Sequence, residues 1–490
     1  MYYISTRGKA DKVSSAMAIK NGLASDGGLY MPESIPQLST EEIKELLGMD
    51  YPHRAHKVIK KFLTDYDSDR LLDMCIKAYS RFDGQYAPVV KTESGLYFLE
   101  LWHGPTCAFK DMALQLTPRL LSEALKITGE KRCANILVAT SGDTGKAALD
   151  GFCDVDQTKI LVFYPVNGVS PLQKRQMITQ EGNNVEVCAI NGNFDDAQSA
   201  VKTVFSDKSF AESIADTSFF SSANSINWGR LVPQIAYYVS AYCDMINTKD
   251  ISLGDEINVC VPTGNFGDIF AAYIAKVMGL PLKTLVCASN DNKILTDFFN
   301  TGVYNKKREF YQTTSPSMDI LISSNLERML YLVCGSEKTA EYMEKLKTEG
   351  EYTVNADELK ELQRVYYGAF CTEKQGAEIL RDLFDNDKYL CDTHTSVAAH
   401  CARQYIASTK DTVPMLVVST ASPYKFVNSV CKALGITPSE DEFESVELLN
   451  KYTKVRIPDG LAKLKDKQIR FNGCIEKDQI NNKVRDFVSR

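Results

Sequence analysis

Long apolar runs, an excess of basic residues and closely spaced cysteine pairs are all missing from this 490-residue sequence. The longest apolar candidate, 235–246, falls short of the roughly 18 residues that a membrane-spanning helix needs, and Ser240 and Asp244 break it. Residues 1–9 lack the apolar core of a secretory signal. Both absences lead to the expectation of a cytoplasmic protein with no membrane partner. A formal net charge of −7 is the opposite of the basic footprint that phosphate-backbone binding requires, so nucleic acid is excluded as a partner. The 14 cysteines include no CxxC pair, which fits reduced thiols packed as small core residues better than a disulfide frame. No HExxH occurs among the five histidines, and His394 with His400 lack the spacing of two ligands on one helix face; no metal is expected.

What is present is enough apolar material, 44%, to bury a full core in two or three domains. From about 135 to 426 one pattern recurs: a short branched-apolar run, a turn of small polar residues, then a segment of helical period. ANILVAT (134–140) leads through SGDTG, EINVCVPT (256–263) through GNFGD, and PMLVVST (414–420) through ASPYKF. NVEVCAI (184–190) with 195–205 makes a fourth unit. Runs apolar on both faces suit parallel strands covered by helices on each side, hence an α/β chain of doubly wound open sheets. Residues 1–90 read instead as an added cap with amphipathic helices at 40–47 and 55–63. The expected division is a large domain from 91–125 and 215–450, with a helical insertion at about 290–387, a small domain at 126–214, and a polar extension at 451–490.

Three short stretches carry candidate chemistry: two strand-to-helix junctions, and one that combines a turn with the start of a helical pattern. At GNFGD, 264–268, the glycines either let the backbone close around a phosphate at a helix N-terminus or supply unusual angles for a tight turn. SGDTG, 141–145, offers further donors at another helix start, or is an ordinary N-cap by Ser141 or Asp143. Neither spacing is that of a dinucleotide or nucleoside triphosphate loop. In HGPTCAFKD, 103–111, Lys110 stands among Thr106, Ala108 and Phe109, which desolvate rather than hydrate it. Desolvation lowers a lysine toward the free amine that Schiff-base chemistry needs; the alternative is an ordinary surface lysine. Cys107 reads as a packed thiol, since no His and Asn framework surrounds it.

These motifs, with STASPYKF (419–426) and GLASDGGLYMPE (22–33), occur in an order and at separations that resemble the threonine synthase family in its microbial and fungal branch. The resemblance implies the pyridoxal-phosphate fold of the tryptophan-synthase β-like type. It implies pyridoxal 5′-phosphate as cofactor, carried as a Schiff base by Lys110, which also moves protons. Gly264, Asn265, Phe266, Gly267 and Asp268 would cradle the cofactor phosphate, and Thr420 would face the pyridine nitrogen. Ser141, Asp143 and Thr144 match the loop for the substrate carboxylate, although Asp143 stands where many relatives of the fold have Asn opposite the cofactor hydroxyl. Asn224, Ser225 and Arg230 match the positions that hold a substrate phosphate, which suits a guanidinium flanked by short polar groups; otherwise Arg230 would read as a surface ion pair. The implied reaction takes O-phosphohomoserine and water to L-threonine and phosphate, in a monomer or homodimer. Rival readings are a phospho-lyase yielding 2-oxobutyrate and a protein that binds the cofactor without catalysis.

Overall fold

The computed structural model describes residues 1–82, 84–140 and 142–490. Its frame is α/β, with two open sheets of separate strand order. The larger sheet runs Tyr366–Phe370, Leu282–Ser289, Ile257–Pro262, Met415–Ser419, Leu96–Glu100, Val89–Lys91. Its strands are parallel except Val89–Lys91, which returns antiparallel at the edge. Ile257–Pro262 is buried along its whole length, as a β-branched run without polar alternation must be when helices cover both faces. The smaller sheet is all parallel, in the order Cys474–Ile475, Val185–Ile190, Thr158–Pro165, Cys133–Ala139, Ser218–Ser221.

Several segments sit differently from the sequence reading. Ser218–Ser221, expected beyond the boundary at 214, pairs with Cys133–Ala139 in the smaller sheet. Tyr366–Phe370, inside the expected helical insertion, forms the edge strand of the larger sheet. In the polar tail, Ile480, Val484 and Phe487 lie on one face of the last helix and pack into the smaller domain's core, a stripe that the surrounding lysines obscure in composition. The amphipathic helices of the N-terminal region stand at Thr40–Leu47 and Tyr51–Lys60. Among the described residues, no helix is long and apolar enough to cross a membrane.

The helix Trp228–Asn247 is almost entirely buried and packs against the helices Gly267–Val277 and Tyr51–Lys60. Pro233 inside it has no N–H for the carbonyl one turn back, and Thr117 Oγ1 donates to that carbonyl, Gly229 O, over 2.8 Å. The helix therefore keeps its course, and with it the position of Arg230 in its first turn.

Candidate active site

Three neighbouring parallel strands of the larger sheet, Ile257–Pro262, Met415–Ser419 and Leu96–Glu100, end at the same edge, and each is followed by one of the sequence motifs. The C-terminal edge of a parallel sheet is where open α/β folds place ligands. After Leu96–Glu100 the chain turns through Gly104, where a Cβ would lie 2.6 Å from the Asp111 carboxyl. Asp111 then accepts from Thr106 N at 2.8 Å and Thr106 Oγ1 at 2.6 Å, tightening the loop so that Lys110 opens the helix Lys110–Leu114. Phe109 N donates to Thr420 O over 2.8 Å, which docks this turn onto the end of Met415–Ser419.

Lys110 is buried, with 9% of its surface exposed, so the surface-lysine alternative does not hold. Its Nζ lies 3.4 Å from Ser317 Oγ, 4.0 Å from Asp143 Oδ2 and 4.8 Å from the centre of the Phe109 ring. Burial lowers its affinity for a proton most; Asp143 raises it, Lys425 and Arg230 lower it again, and the amine is pushed down to about 8.

The 264–268 turn faces the same Ser317. A Cβ on Gly264 would sit 2.4 Å from Ser317 O, so this glycine is there for close approach. The unusual backbone angle belongs to Phe266, with φ of 61°, and not to Gly264 or Gly267. Gly264 O accepts from Ser323 Oγ at 2.7 Å, and Asn265 O accepts from both Asn325 N and Nδ2 at 3.0 Å. The helix Gly267–Val277 starts here without a side-chain cap, leaving its first donors available to an anion. The Asp268 side chain is held by two tyrosines. Its Oδ1 accepts from Tyr237 and Tyr238 hydroxyls at 2.5 Å each, while Oδ2 is buried without a partner, and burial pushes the carboxyl up to about 6. With Oδ1 engaged by the two tyrosines, Asp268 offers the turn its backbone N–H.

From the smaller sheet comes the loop after Cys133–Ala139. Ser141 lies outside the described residues. Gly142 caps the helix Asp143–Phe152, and Thr140 Oγ1 accepts from Gly142 N and Gly145 N at 3.0 Å each, so Asp143 is not the cap. Asp143 is buried, accepts from Lys425 Nζ at 2.6 Å and from Gln173 Nε2 at 3.0 Å. Burial pushes this carboxyl up, but Lys425 and Lys110 outweigh it and hold it well below the usual range. Thr144 follows, half-buried, in the first turn.

Arg230 is buried and not a surface ion pair. Its Nη1 donates to Ala223 O at 2.8 Å, its Nε has no partner, and no carboxylate stands within ion-pair distance among the described residues. Burial alone pushes the guanidinium down to about 10. A buried cation without a counter-ion is costly and marks a place for an anion. Next to it Asn224 is exposed and Ser225 half-buried, with Asn224 Oδ1 accepting from Ile226 N at 3.2 Å. Arg328 steadies that loop: its guanidinium donates to Ile226 O at 2.6 Å, to Tyr30 O at 3.1 Å and to Asn325 Oδ1.

The structure thus brings Lys110, Thr420, the 264–268 turn and Asp143 together. Sequence reasoning missed Lys425, although it lies inside STASPYKF, and also Ser317, Gln173 and Arg328. His394, to which the sequence reading gave no role, supports the Ser317 turn, its Nε2 accepting from Ser317 N at 3.1 Å.

Family models described as threonine synthase N terminus, pyridoxal-phosphate dependent enzyme, and threonine synthase, C-terminal match residues 2–79, 85–420 and 395–488. The chain is 38% identical over 475 residues to a threonine synthase of Pseudomonas aeruginosa, covering 93% of this chain and 97% of that one. It is also 38% identical over 451 residues to the threonine synthase-like 1 protein of Homo sapiens; that match takes in 89% of this chain but spans only 60% of the relative's length. A crystal structure of pyridoxal-phosphate-bound threonine synthase from Brucella melitensis superposes with a TM-score of 0.90 at 36% identity, covering 100% of both chains.

Proposed function

Since the chain belongs to the threonine synthase family, we propose that it converts O-phosphohomoserine and water into L-threonine and phosphate, using pyridoxal 5′-phosphate held on Lys110. The residues present fit that cofactor. A buried amine pushed down to about 8 stands beside a glycine turn that leaves helix donors open. The observation that carries the reading is that Ser317 stands against both parts, its Oγ 3.4 Å from Lys110 Nζ and its carbonyl oxygen 2.4 Å from where a Cβ on Gly264 would lie.

When bound, pyridoxal phosphate supplies an electron sink for the charge left as a proton leaves carbon. Lys110 acts as the base and acid, taking protons from the α and then the β carbon of the substrate; an amine near 8 can both accept and return a proton around neutral pH. By the resemblance Thr420 would help hold the cofactor ring, where a hydroxyl facing the ring nitrogen would leave it less charged than a carboxylate would. Arg230, with its unpartnered Nε, receives the substrate phosphate together with Asn224 and Ser225. The substrate carboxylate goes to Thr144 and the N–H groups of its loop, with Ser141 assigned there by the resemblance. Asp143 would repel that carboxylate, so its role in this reading is to balance Lys425 and to keep charge near Lys110.

Incubation with O-phosphohomoserine, with threonine and 2-oxobutyrate resolved chromatographically, tests the proposal. Threonine as the main product supports it. Mainly 2-oxobutyrate would replace it with the phospho-lyase reading, and absence of turnover with cofactor retained would leave a binding protein.

A further inference from the structure

Ser317 makes three contacts with three different parts of the site. Its Oγ lies 3.4 Å from Lys110 Nζ, its carbonyl oxygen lies 2.4 Å from where a Cβ on Gly264 would be, and its backbone N donates to His394 Nε2 over 3.1 Å. It sits in the short turn Pro316–Met318, with Met318 N bonded to Ser315 O at 3.0 Å.

His394 and Asp392 are buried, their side chains 3% and 0% exposed. A backbone N–H can only donate, so Nε2 must offer its lone pair to Ser317, and the ring proton must be on Nδ1. Nδ1 lies 2.7 Å from Asp392 Oδ2, which accepts that proton's hydrogen bond. Asp392 is fixed in turn, because its other oxygen accepts from Thr395 N at 3.0 Å and from the Thr395 hydroxyl. The tautomer of His394 is therefore dictated by its two neighbours.

We propose that Ser317 is a positioning residue for the Lys110 amine, and that His394, oriented by Asp392, sets Ser317 in place. A serine hydroxyl both donates and accepts, so it can stay bonded to Lys110 as the free amine and as the ammonium. That property suits a lysine that gains and loses a proton twice in one turnover. The proposal rests on Lys110 being the cofactor lysine.

The test uses the cofactor-loaded protein and begins with its own turnover and visible absorbance. Absence of both refutes the proposed function itself; with both present, any change in the variants reports on Ser317 alone. Losing one hydrogen bond worth about 1 kcal/mol in the transition state corresponds to about a fivefold fall in kcat. Ser317→Ala is expected to show that fall with KM and visible absorbance unchanged. His394→Leu should show the same fall, and His394→Gln, whose amide oxygen can reach the Nε2 position, should recover most of it. Unaltered kcat in Ser317→Ala, or its loss through KM, overturns the proposal, as does a His394→Gln variant no better than His394→Leu. Should His394→Leu not fold, Ser317→Ala decides alone.

Discussion

Lys425 Nζ donates to Asp143 Oδ1 over 2.6 Å with side chains 0% and 6% exposed, joining the turn after Met415–Ser419 to the helix that opens the smaller sheet's first crossover. The same lysine donates to Thr106 O at 2.9 Å, within the loop that delivers Lys110. One buried ammonium thus links both halves of the site.

Breaking a buried pair costs up to about 3–5 kcal/mol; without Lys425, Asp143 keeps only the more distant Lys110, 4.0 Å away, to balance it. Lys425→Met should therefore lower the denaturation midpoint sharply in chemical melts, while Lys425→Met combined with Asp143→Asn should recover a substantial part. Additive losses in the double variant would contradict the pairing.

Arg230 gives the opposite sign for stability. Because its guanidinium is buried without a counter-ion, Arg230→Gln should raise the thermal midpoint of the substrate-free protein while lowering kcat/KM for the phosphorylated substrate by about tenfold to a hundredfold. Cofactor retention, followed by visible absorbance after gel filtration, should not change. Loss of cofactor and substrate affinity in equal measure would remove Arg230 from the substrate's phosphate.

Asp268 makes stability depend on pH. Its carboxyl is raised from 3.8 to about 6 by burial, so between those values the folded state binds more protons than the unfolded chain. Stability contributed by the protonated form is then fully present below about pH 4 and is lost as pH rises to about 6, by about 3 kcal/mol. Asp268→Asn should flatten that part of the stability profile in urea titrations across pH 4–6. Asp111, also raised to about 6 by burial, adds a slope of the same sign that this substitution leaves in place.

Gly264→Ala tests the close approach at the cradle. The added Cβ would meet backbone oxygen of Ser317 at 2.4 Å, where no flexible side chain can yield. Cofactor affinity should fall at least about tenfold with far-ultraviolet circular dichroism unchanged. An unaltered affinity would mean that the turn has room to spare.

Much of this was legible in the sequence because parallel strands and strand-to-helix junctions write themselves locally. ANILVAT, EINVCVPT and PMLVVST fall on strands within one residue at each end. The 264–268 turn was readable as a junction because it follows directly on its strand, and the burial of Lys110 because its neighbours Thr106, Ala108 and Phe109 are small or apolar. What was illegible depends on long-range partners. Nothing local shows that Lys425 meets Asp143, nor that His394 reaches Ser317 across 77 positions. The edge strand Tyr366–Phe370 was hidden because its short run YYGAF is only partly buried and stands between two charge-rich helices, Ala356–Gln363 and Glu373–Asp387. The final helix was hidden by its charge-rich surroundings, since three apolar residues on one face suffice to dock it.

The most direct measurement is borohydride reduction of the cofactor-loaded protein with peptide mapping of the product. A single stable pyridoxyl adduct on Lys110 is expected, lost in Lys110→Ala together with the visible absorbance. An adduct on another buried lysine, such as Lys146 or Lys425, or one that persists in Lys110→Ala, would contradict the assignment of Lys110 as the cofactor lysine.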